Sequence, residues 1–193
     1  MKPTEQIKSA DEAAEFAERQ VTRSAADAKH PFRYPVLSTV TDKKPESRIL
    51  VLRRVTSPGL TLWMYSDLRT GKVRALERNP EASVLFWHPK LSMQLRAACQ
   101  ASIVRAGELW EETWENMSEE RQAEYNTKHT PGTAIGSLHA QPEMREERTR
   151  ESFALIRLEV YAAEALMLRH SGHLRASWTY KDGKRSSALC LVP

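Results

Sequence analysis

The fold of this 193-residue chain is decided between Ser47 and Gln94. The parts of this stretch are, in order, Arg48-Ile-Leu-Val-Leu-Arg53, Leu60-Thr-Leu-Trp-Met-Tyr65-Ser66-Asp67, Thr70-Gly-Lys72-Val-Arg74-Ala-Leu76-Glu-Arg78, Ala82 to Trp87, and Ser92-Met-Gln94-Leu-Arg96. Four of them are rich in apolar and β-forming residues and predict strands, whereas the basic segment 70–78 has helical spacing and stops at Asn79-Pro80. Two strands, a basic helix start and two more strands predict a pocket for an anionic ligand, because a helix N-terminus presents free N–H groups.

The composition is that of a water-soluble globular protein. The chain is 40% hydrophobic and 28% charged, which predicts a folded core rather than disorder. Its length suits one domain, so we expect a single domain over residues 1–193 with a helix at about 9–29. The apolar runs are only a few residues long, so we expect no membrane partner. The segment after Met1 lacks an apolar signal core, and we expect a cytoplasmic location.

Nucleic-acid and metal partners have little support. The formal net charge is +4, but acids and bases alternate and no Lys/Arg-rich block stands out. One phosphorylated small molecule explains the surplus of arginine equally well. Cys99 and Cys190 are far apart without Cys-x-x-Cys spacing, which predicts two buried, reduced thiols. The chain also lacks the G-x-G-x-x-G, Walker A, H-E-x-x-H and G-x-S-x-G motifs, so those enzyme classes lose support.

A helix and a hairpin precede the central stretch. Ser9 and Glu12 form a capping-box pattern at the start of an amphipathic helix that we expect to run to about Lys29. Its apolar face is narrow and rich in alanine, which predicts packing on the outside of the molecule. Tyr34 to Thr41 predicts a strand, and Asp42 to Glu46 predicts a hairpin turn with a longer loop.

The second half predicts one more helix and a closing set of strands. Glu108 to Tyr125 has an apolar and aromatic stripe that is more typical of a core face than of a cofactor site. The charged segment Gln141 to Arg150 should be exposed. The expected strands are Phe153 to Tyr161, Ala165 to Leu168, and a hairpin of Trp178 to Tyr180 with Ala188 to Val192 that turns at Asp182-Gly183. Many short strands and few helices predict a mainly β protein, an antiparallel barrel with peripheral α-helices.

Arg48 and Arg53 flank an apolar strand. The run Ile49 to Val55 is nearly continuous, which is typical of a strand covered on both faces. In a regular strand two residues five apart point to opposite faces, so the two arginines would diverge. They are either two solvated strand-end residues, or one of them binds a phosphate while the other reaches a second ligand group.

Three polar residues near the predicted helix start are candidates for ligand contacts. Ser66 and Lys72 bracket the turn into the helix, where a phosphate could be bound. Thr70 could cap the helix or donate its hydroxyl to a ligand, and capping is the commoner role. Gln94 lies inside a predicted strand, where it could be exposed or could donate to a heteroaromatic ring.

These residues together resemble a known family. Arg48-x-x-x-Leu52-Arg53, Tyr65-Ser66, Gly71-Lys72 ahead of a helix, Asn79-Pro80-x-Ala82-Ser83-x-x-Phe86 and Gln94-x-Arg96 are similar in order and spacing to the FMN-binding split barrel of pyridoxamine 5′-phosphate oxidase and its relatives. Thr130-Pro-Gly-Thr133-Ala-Ile-Gly136 looks like the substrate loop of that family, and Leu191-Val-Pro193 like its C-terminus. The resemblance covers roughly Tyr34 to Pro193, and its motifs are specific in the first half and looser in the second. It implies a split β-barrel of Greek-key type.

The resemblance implies a set of FMN-binding residues. Arg48, Ser66 and Lys72 match positions around the FMN phosphate and ribityl chain, and Gln94 matches a contact to the isoalloxazine ring. Arg175 is the candidate for an arginine that reaches FMN from a partner subunit. The complete cofactor set is Arg48, Ile49, Leu50, Val51, Leu52, Arg53, Tyr65, Ser66, Gly71, Lys72, Gln94, Gln141 and Arg175.

The resemblance also implies substrate contacts, with several departures from the family pattern. The substrate set is Arg53, Tyr125, His129, Thr133 and His173. Arg53 replaces a family lysine that is shared between FMN and the substrate phosphate, and His129 falls where the substrate loop has arginine. Gly71 replaces an arginine that helps to bind the FMN phosphate. The C-terminal Arg-x-His of the family is reversed here as His173-x-Arg175, and a family tryptophan falls near Met167 or Leu168.

The implied function is that of an FMN-dependent flavoprotein oxidoreductase, which acts on a small-molecule substrate such as a B6 vitamer phosphate. FMN would lie at the interface of a homodimer. A non-catalytic flavin carrier or sensor of the same fold is the alternative. His129, His139, His170 and His173 are candidates for proton transfer, although a loop histidine more often only faces solvent.

Overall fold

The computed structural model describes residues 2–137, 140–147 and 149–193. Within these residues the chain forms ten strands and four α-helices. The strands are β1 Val36–Thr41, β2 Lys44–Ile49, β3 Leu52–Thr56, β4 Thr61–Asp67, β5 Glu81–His88, β6 Met93–Val104, β7 Phe153–Met167, β8 Leu174–Lys181, β9 Lys184–Arg185 and β10 Leu189–Leu191. The helices are α1 Ala10–Ala26, α2 Gly71–Arg78, α3 Glu108–Glu115 and α4 Glu119–Ala123.

All strand pairs are antiparallel, and the sheet is split rather than closed. Its main path runs β10-β8-β7-β6-β5-β1-β2. One edge of the long strand β7 pairs with β6, whereas the other edge pairs with β4 over Phe153–Glu159 and with β8 over Ala162–Met167. The sheet divides at this change of partner. The mainly β architecture with peripheral helices is confirmed.

Alternation along the strands builds the main core. In β6, Met93, Leu95, Ala97 and Cys99 are all buried, while the residues between them are partly or fully exposed. Because successive side chains in a strand point to opposite faces, this pattern leaves one face of β6 uncovered. The fully buried side chains that fill the core include Phe32, Phe86, Leu37, Leu52, Leu62, Met64, Ile156 and Leu158.

Helix α1 closes one side of this core. It begins at the predicted cap, where Ser9 Oγ accepts a hydrogen bond from the Glu12 N–H at 3.1 Å. Its small apolar residues, among them Ala13, Ala17 and Val21, are fully buried. Their size lets the helix pack closely on β3 and β8. The predicted outer position of this helix is confirmed.

A second apolar cluster lies on the other face of β4 and β7, under α3 and α4. Its buried members are Trp110, Met117, Tyr125, Phe153 and Leu155. The aromatic rings pack edge-on or tilted, with centroids 5.0 Å apart for Tyr125 and Phe153. The aromatic stripe is therefore core, as the sequence predicts.

Several predicted elements have different bounds. The single covered strand Ile49 to Val55 is wrong, because the chain leaves β2 after Ile49 and enters β3 at Leu52, and Ile49 is 66% exposed. The long predicted loop of the first hairpin is instead a two-residue turn, in which Asp42 and Lys43 adopt φ of 47° and 67°.

The second half differs in the same way. The helix predicted over Glu108 to Tyr125 is two helices, since it breaks between Glu115 and Glu119. The two strands predicted at 153–161 and 165–168 are one strand, β7, which stays paired with β6 across a bulge at Ala98 and Cys99. A charged residue inside an apolar pattern, such as Glu164, therefore does not mark the end of a strand when one face of that strand is open to solvent.

The cysteines have different environments. Cys99 is buried, and burial raises the pKa of its thiol to about 12. Cys190 is exposed on β10, so the prediction that both thiols are buried is wrong for this residue. In the part of the chain described here, no helix is long and apolar enough to cross a membrane.

Candidate functional site

A cluster of hydroxyl and cationic side chains lies where β4 ends and α2 begins. Ser66 and Thr70 are buried, with their hydroxyl oxygens 3.4 Å apart. Thr70 occupies the N-cap position, but its hydroxyl donates to the Asp67 carbonyl oxygen at 2.7 Å and does not cap the helix. Lys72 Nζ donates to Thr70 Oγ1 at 3.2 Å. The first turn of α2 therefore presents backbone N–H groups beside an ammonium group.

Arg48 adds a second cation to this group of side chains. We call Arg48, Ser66, Thr70 and Lys72 the α2 cluster. Its guanidinium donates to Thr39 Oγ1 at 2.7 Å and to the Glu46 carboxylate at 3.0 Å. Burial, and next the positive charge of Arg48, lower the pKa of Lys72. No carboxylate of the described residues lies within ion-pair distance of Lys72. A bound phosphate would supply the missing negative charge.

Gly71 leaves space at the same helix start. A Cβ built on Gly71 would meet no atom within 4 Å. The family resemblance implies an arginine at this position, and Gly71 leaves open space in its place. Two hydroxyls, two cations and an uncapped helix N-terminus are groups that bind a phosphate monoester, so the residues of the α2 cluster fit the FMN phosphate.

Arg69 ties the α2 cluster to the loop that follows α4. Its Nε and Nη2 donate to the two carboxylate oxygens of Asp67 at 3.0 and 2.6 Å. The same guanidinium donates to the Thr127 carbonyl oxygen at 2.6 Å and to Thr127 Oγ1 at 3.0 Å. Both partners of the ion pair are largely buried. The pair therefore joins two segments that are 58 residues apart in sequence.

A cavity of about 250 Å³, here called the α3–α4 cavity, lies between β3–β4 and α3–α4. Its lining includes Arg53, Arg54, Trp63, Tyr65, Glu112 and Arg121. The guanidinium carbon of Arg53 lies 4.9 Å from the centroid of the Tyr65 ring. The site thus combines cations with aromatic walls.

Gln94 and Arg175 lie apart from the α2 cluster, in one row across the uncovered sheet face. The register pairs Trp87 with Gln94, Gln94 with Leu166 and Leu166 with Arg175. We call these four residues the outer row. Arg175 forms an ion pair with Glu164 at 2.9 Å, yet its Nε is buried without a hydrogen-bond partner. No hydrogen bond or ion pair within the described residues joins the outer row to Arg48, Ser66 or Lys72.

The remaining predicted contacts are dispersed. Tyr125 is buried in the second cluster, and burial raises the pKa of its hydroxyl. His129, Thr133, Gln141 and His173 are exposed. Ile49 is exposed at the end of β2, Leu50 and Val51 are half-buried in the break between strands, and Leu52 is buried. His139 lies outside the described residues.

Sequence reasoning missed Arg69 and Arg121. The bidentate pair of Arg69 with Asp67 has a local signal, because two oppositely charged residues occur two apart in a tight turn. Arg121 has none, since it lies 68 residues after Arg53 and reaches the α3–α4 cavity only through the packing of α4.

Comparison with known proteins identifies the family. Residues 5–166 match the family model of pyridoxamine 5′-phosphate oxidase. The chain belongs to this family. A pyridoxine/pyridoxamine 5′-phosphate oxidase of Psychrobacter arcticus is 24% identical over 123 residues, which are 64% of this chain and 50% of that protein. The chain thus spans about half the length of the curated relatives it matches.

Two solved structures share the fold of this chain. A pyridoxamine 5′-phosphate oxidase-related, FMN-binding protein of Nostoc punctiforme is 19% identical, with a TM-score of 0.71 over 97% of this chain and 100% of that chain. PhzG of Burkholderia lata, solved with tetrahydrophenazine-1-carboxylic acid, is 17% identical, also with a TM-score of 0.71, over 100% of this chain and 98% of that chain. These likenesses confirm the split-barrel fold.

Proposed function

We propose that this protein binds FMN and acts as an FMN-dependent oxidoreductase on a small-molecule substrate. The observation that carries the proposal is the α2 cluster, in which the buried hydroxyls of Ser66 and Thr70 lie beside an unneutralised Lys72. Membership of the pyridoxamine 5′-phosphate oxidase family supports the same ligand. The resemblance in sequence implies that Arg48, Ser66 and Lys72 contact its phosphate.

Each part of the chain has a distinct task in this proposal. The α2 cluster holds the cofactor phosphate, and the segment Ile49 to Leu52 runs beside the cofactor. Gln94 and Arg175, which the outer row presents on an open face, contact the flavin of a homodimer. Tyr65 and Gln141 complete the cofactor set, and Tyr125, His129, Thr133 and His173 serve the substrate.

The bound flavin supplies hydride acceptance at its N5 atom. The chain supplies placement and electrostatics. Arg48 and Lys72 hold the phosphate, which fixes the position of the ring system. Orientation of a neutral substrate amine then contributes most of the rate, because a well-placed donor needs no strong protein base.

Flavin binding is tested by the absorbance spectrum of the purified protein and by titration of the apoprotein with FMN. We expect a yellow protein that takes up FMN. Lys72→Gln should weaken FMN binding by roughly 10- to 100-fold, because a hydrogen bond to a charged group contributes about 1.5–3 kcal/mol. Arg78→Gln, at the other end of the same helix, is the matched control. A colourless wild-type protein that takes up no FMN contradicts the proposal.

Turnover is tested separately with the FMN-loaded protein. We expect hydrogen peroxide to form when the protein is mixed with pyridoxamine 5′-phosphate or another amine or alcohol of a small panel. Protein that binds FMN but forms no peroxide, and whose flavin is not bleached anaerobically by any member of the panel, would be a flavin carrier. This outcome would reject the catalytic half of the proposal and keep the binding half.

A further inference from the structure

Two turns lie side by side at one end of the main sheet. Residues 89–92 lead into β6, and residues 168–173, here called the β7–β8 turn, connect β7 to β8. The end of β7 pairs with the start of β6, so the two turns are neighbours. Gln94 follows the first turn by two residues. His173 is the last residue of the β7–β8 turn, and Arg175 follows it by two residues.

The β7–β8 turn is held by a carboxylate from a distant part of the chain. The N–H groups of His170 and Ser171 donate to the Glu5 carboxylate at 2.8 and 3.4 Å, and Ser171 Oγ donates to it at 2.6 Å. The Ser171 hydroxyl, and next the His170 N–H, lower the pKa of Glu5 through these bonds. Hydrogen bonds to an ionised acceptor are roughly twice as strong as those between neutral groups. Glu5 therefore fixes the turn from a position 165 residues away in sequence.

The segment that carries Glu5 is itself anchored. We call residues 2–7, which precede α1, the strap. Within the strap Thr4 is fully buried, and Ile7 belongs to the main core. The Glu5 carboxylate is thus presented from a backbone that packing holds in place, because its two neighbours Thr4 and Ile7 are withdrawn from solvent.

Two further hydrogen bonds join the strap to the same pair of turns. Lys2 Nζ donates to Ser92 Oγ at 2.8 Å, in the turn that leads into β6. Arg169 Nη1 donates to the Ile7 carbonyl oxygen at 2.7 Å. The Arg169 Nε also donates to the Gly172 carbonyl oxygen at 2.8 Å, within the β7–β8 turn. One segment therefore braces the entry to β6 and the entry to β8 together.

This bracing matters for the outer row. A binding side chain needs to be held within about 0.5 Å of its working position by neighbours that are themselves fixed. A six-residue connection has many conformations unless other groups hold it. His173 and Arg175 extend directly from this connection, so their placement depends on the contacts that order it.

We propose that Glu5 is a positioning residue for the flavin site: it fixes the β7–β8 turn, and the turn sets the position of His173 and Arg175. Glu5 acts through the turn and not on a ligand. The inference rests on the proposed function, because His173 and Arg175 serve as ligand contacts only in a protein that binds FMN.

The first measurement follows the turn itself by hydrogen–deuterium exchange on the full chain. Glu5→Ala removes both acceptor oxygens, whereas Glu5→Gln keeps one. We expect exchange in residues 168–175 to be at least tenfold faster in Glu5→Ala than in the wild type, with Glu5→Gln between them. Glu115→Gln, which removes an exposed carboxylate on α3, is the matched control and should leave this exchange unchanged.

The second measurement is FMN titration well below the melting temperature of each variant. Glu5→Ala should weaken FMN binding at least threefold, with a changed absorbance spectrum of the bound flavin. Arg175→Gln provides a double-mutant cycle. If Glu5 acts through Arg175, the affinity lost in Glu5→Ala/Arg175→Gln is smaller than the product of the two single losses. A role in overall stability alone would lower the melting temperature without this coupling.

The outcomes separate this inference from the proposed function. Wild-type protein that binds FMN, with Glu5→Ala affinity within twofold of it or with independent losses in the cycle, overturns the positioning role and keeps the flavin function. Exchange in the β7–β8 turn that Glu5→Ala leaves unchanged overturns it as well. A wild type that takes up no FMN rejects the proposed function, and the positioning role falls with it.

Discussion

Arg53 and Arg175 are cationic side chains whose buried nitrogen atoms lack partners. In both residues Nε is buried and makes no hydrogen bond. Burial without pairing costs about 1–3 kcal/mol for such a donor. We therefore expect a ligand or a second protomer to contact these two residues.

His30 and His88 form a buried pair beside the main core. Their ring centroids are 5.4 Å apart, and both residues are at least nine-tenths buried. His30 Nδ1 accepts from the Phe32 N–H at 3.1 Å, and His88 Nδ1 accepts from the Leu91 N–H at 3.2 Å. Protonation of either Nδ1 would break a backbone hydrogen bond.

We expect this pair to make stability depend on pH. Burial is the main cause that lowers the pKa of both histidines. The positive charges of His88 and Arg23 lower the pKa of His30 further, and Asp27 opposes them. Lys90 and Arg23 lower the pKa of His88 in the same way. Since the folded state holds the protons less tightly, stability is full above the unfolded pKa of 6.5 and falls as pH decreases below it.

The measurement is the melting temperature between pH 8 and 5 for the wild type and for the double variant His30→Asn/His88→Asn. Asn keeps an acceptor oxygen near each backbone N–H and does not titrate. The double variant should be less stable at pH 8 but lose less stability on acidification. Exposed His173→Asn serves as control, and an unchanged slope in the double variant would refute the assignment.

At the scale of elements, one ion pair joins the start of α2 to the loop after α4. Arg69→Ala leaves the Asp67 carboxylate buried without its cation, which should cost roughly 3 kcal/mol. It also removes the hydrogen bonds to Thr127, so the loop 127–137 should be cleaved faster in limited proteolysis. Arg78→Ala, which removes an exposed charge at the other end of α2, is the control.

A double-mutant cycle separates the two effects. Asp67→Asn/Arg69→Ala should recover part of the stability, because no unpaired charge remains, but should not slow cleavage of the loop. Equal cleavage of the wild type and Arg69→Ala would show that the loop is held by other contacts.

The turn between β8 and β9 depends on a glycine. Gly183 has φ of 70°, and a Cβ at this position would lie 2.8 Å from Pro58 Cβ. Gly183→Ala should therefore lower the free energy of unfolding by about 1–3 kcal/mol. Gly172→Ala, also at positive φ but with no atom within 4 Å of its Cβ, should cost less. Equal losses in chemical denaturation would exclude the contact as the cause.

At the scale of the whole molecule, the open face of the sheet is the expected dimer interface. Trp87, at one end of the outer row, is 47% exposed. The neighbouring side chains on this face of β5 and β6, among them Leu85 and Arg96, are partly or fully exposed. We expect a homodimer in solution. Trp87→Glu should shift it toward the monomer and weaken FMN binding, because Gln94 and Arg175 lie in the same row.

Light scattering after size exclusion, together with FMN titration, measures both effects. Ile135→Glu, which changes another exposed apolar residue, in the loop after α4, is the control. A wild type that stays monomeric at micromolar concentration, or a Trp87→Glu dimer with unchanged FMN affinity, would contradict this interface.

Local patterns in the sequence determined the helix at Ser9, the basic helix after Thr70 and most strand positions, and they led to the prediction that Ser66 and Lys72 contact a phosphate. These features depend on residues within one turn or one strand, so spacing and chemistry predict them. The FMN-family resemblance rests on the same short segments.

Only the tertiary structure decided the rest. The bulge at Arg53 reverses the direction that regular alternation predicts, the partner change along β7 divides the sheet, and α4 carries Arg121 to a cavity beside Arg53. Each depends on pairing between segments far apart in sequence. A single sequence contains no local signal for such pairing, because the register is set by burial of a whole face.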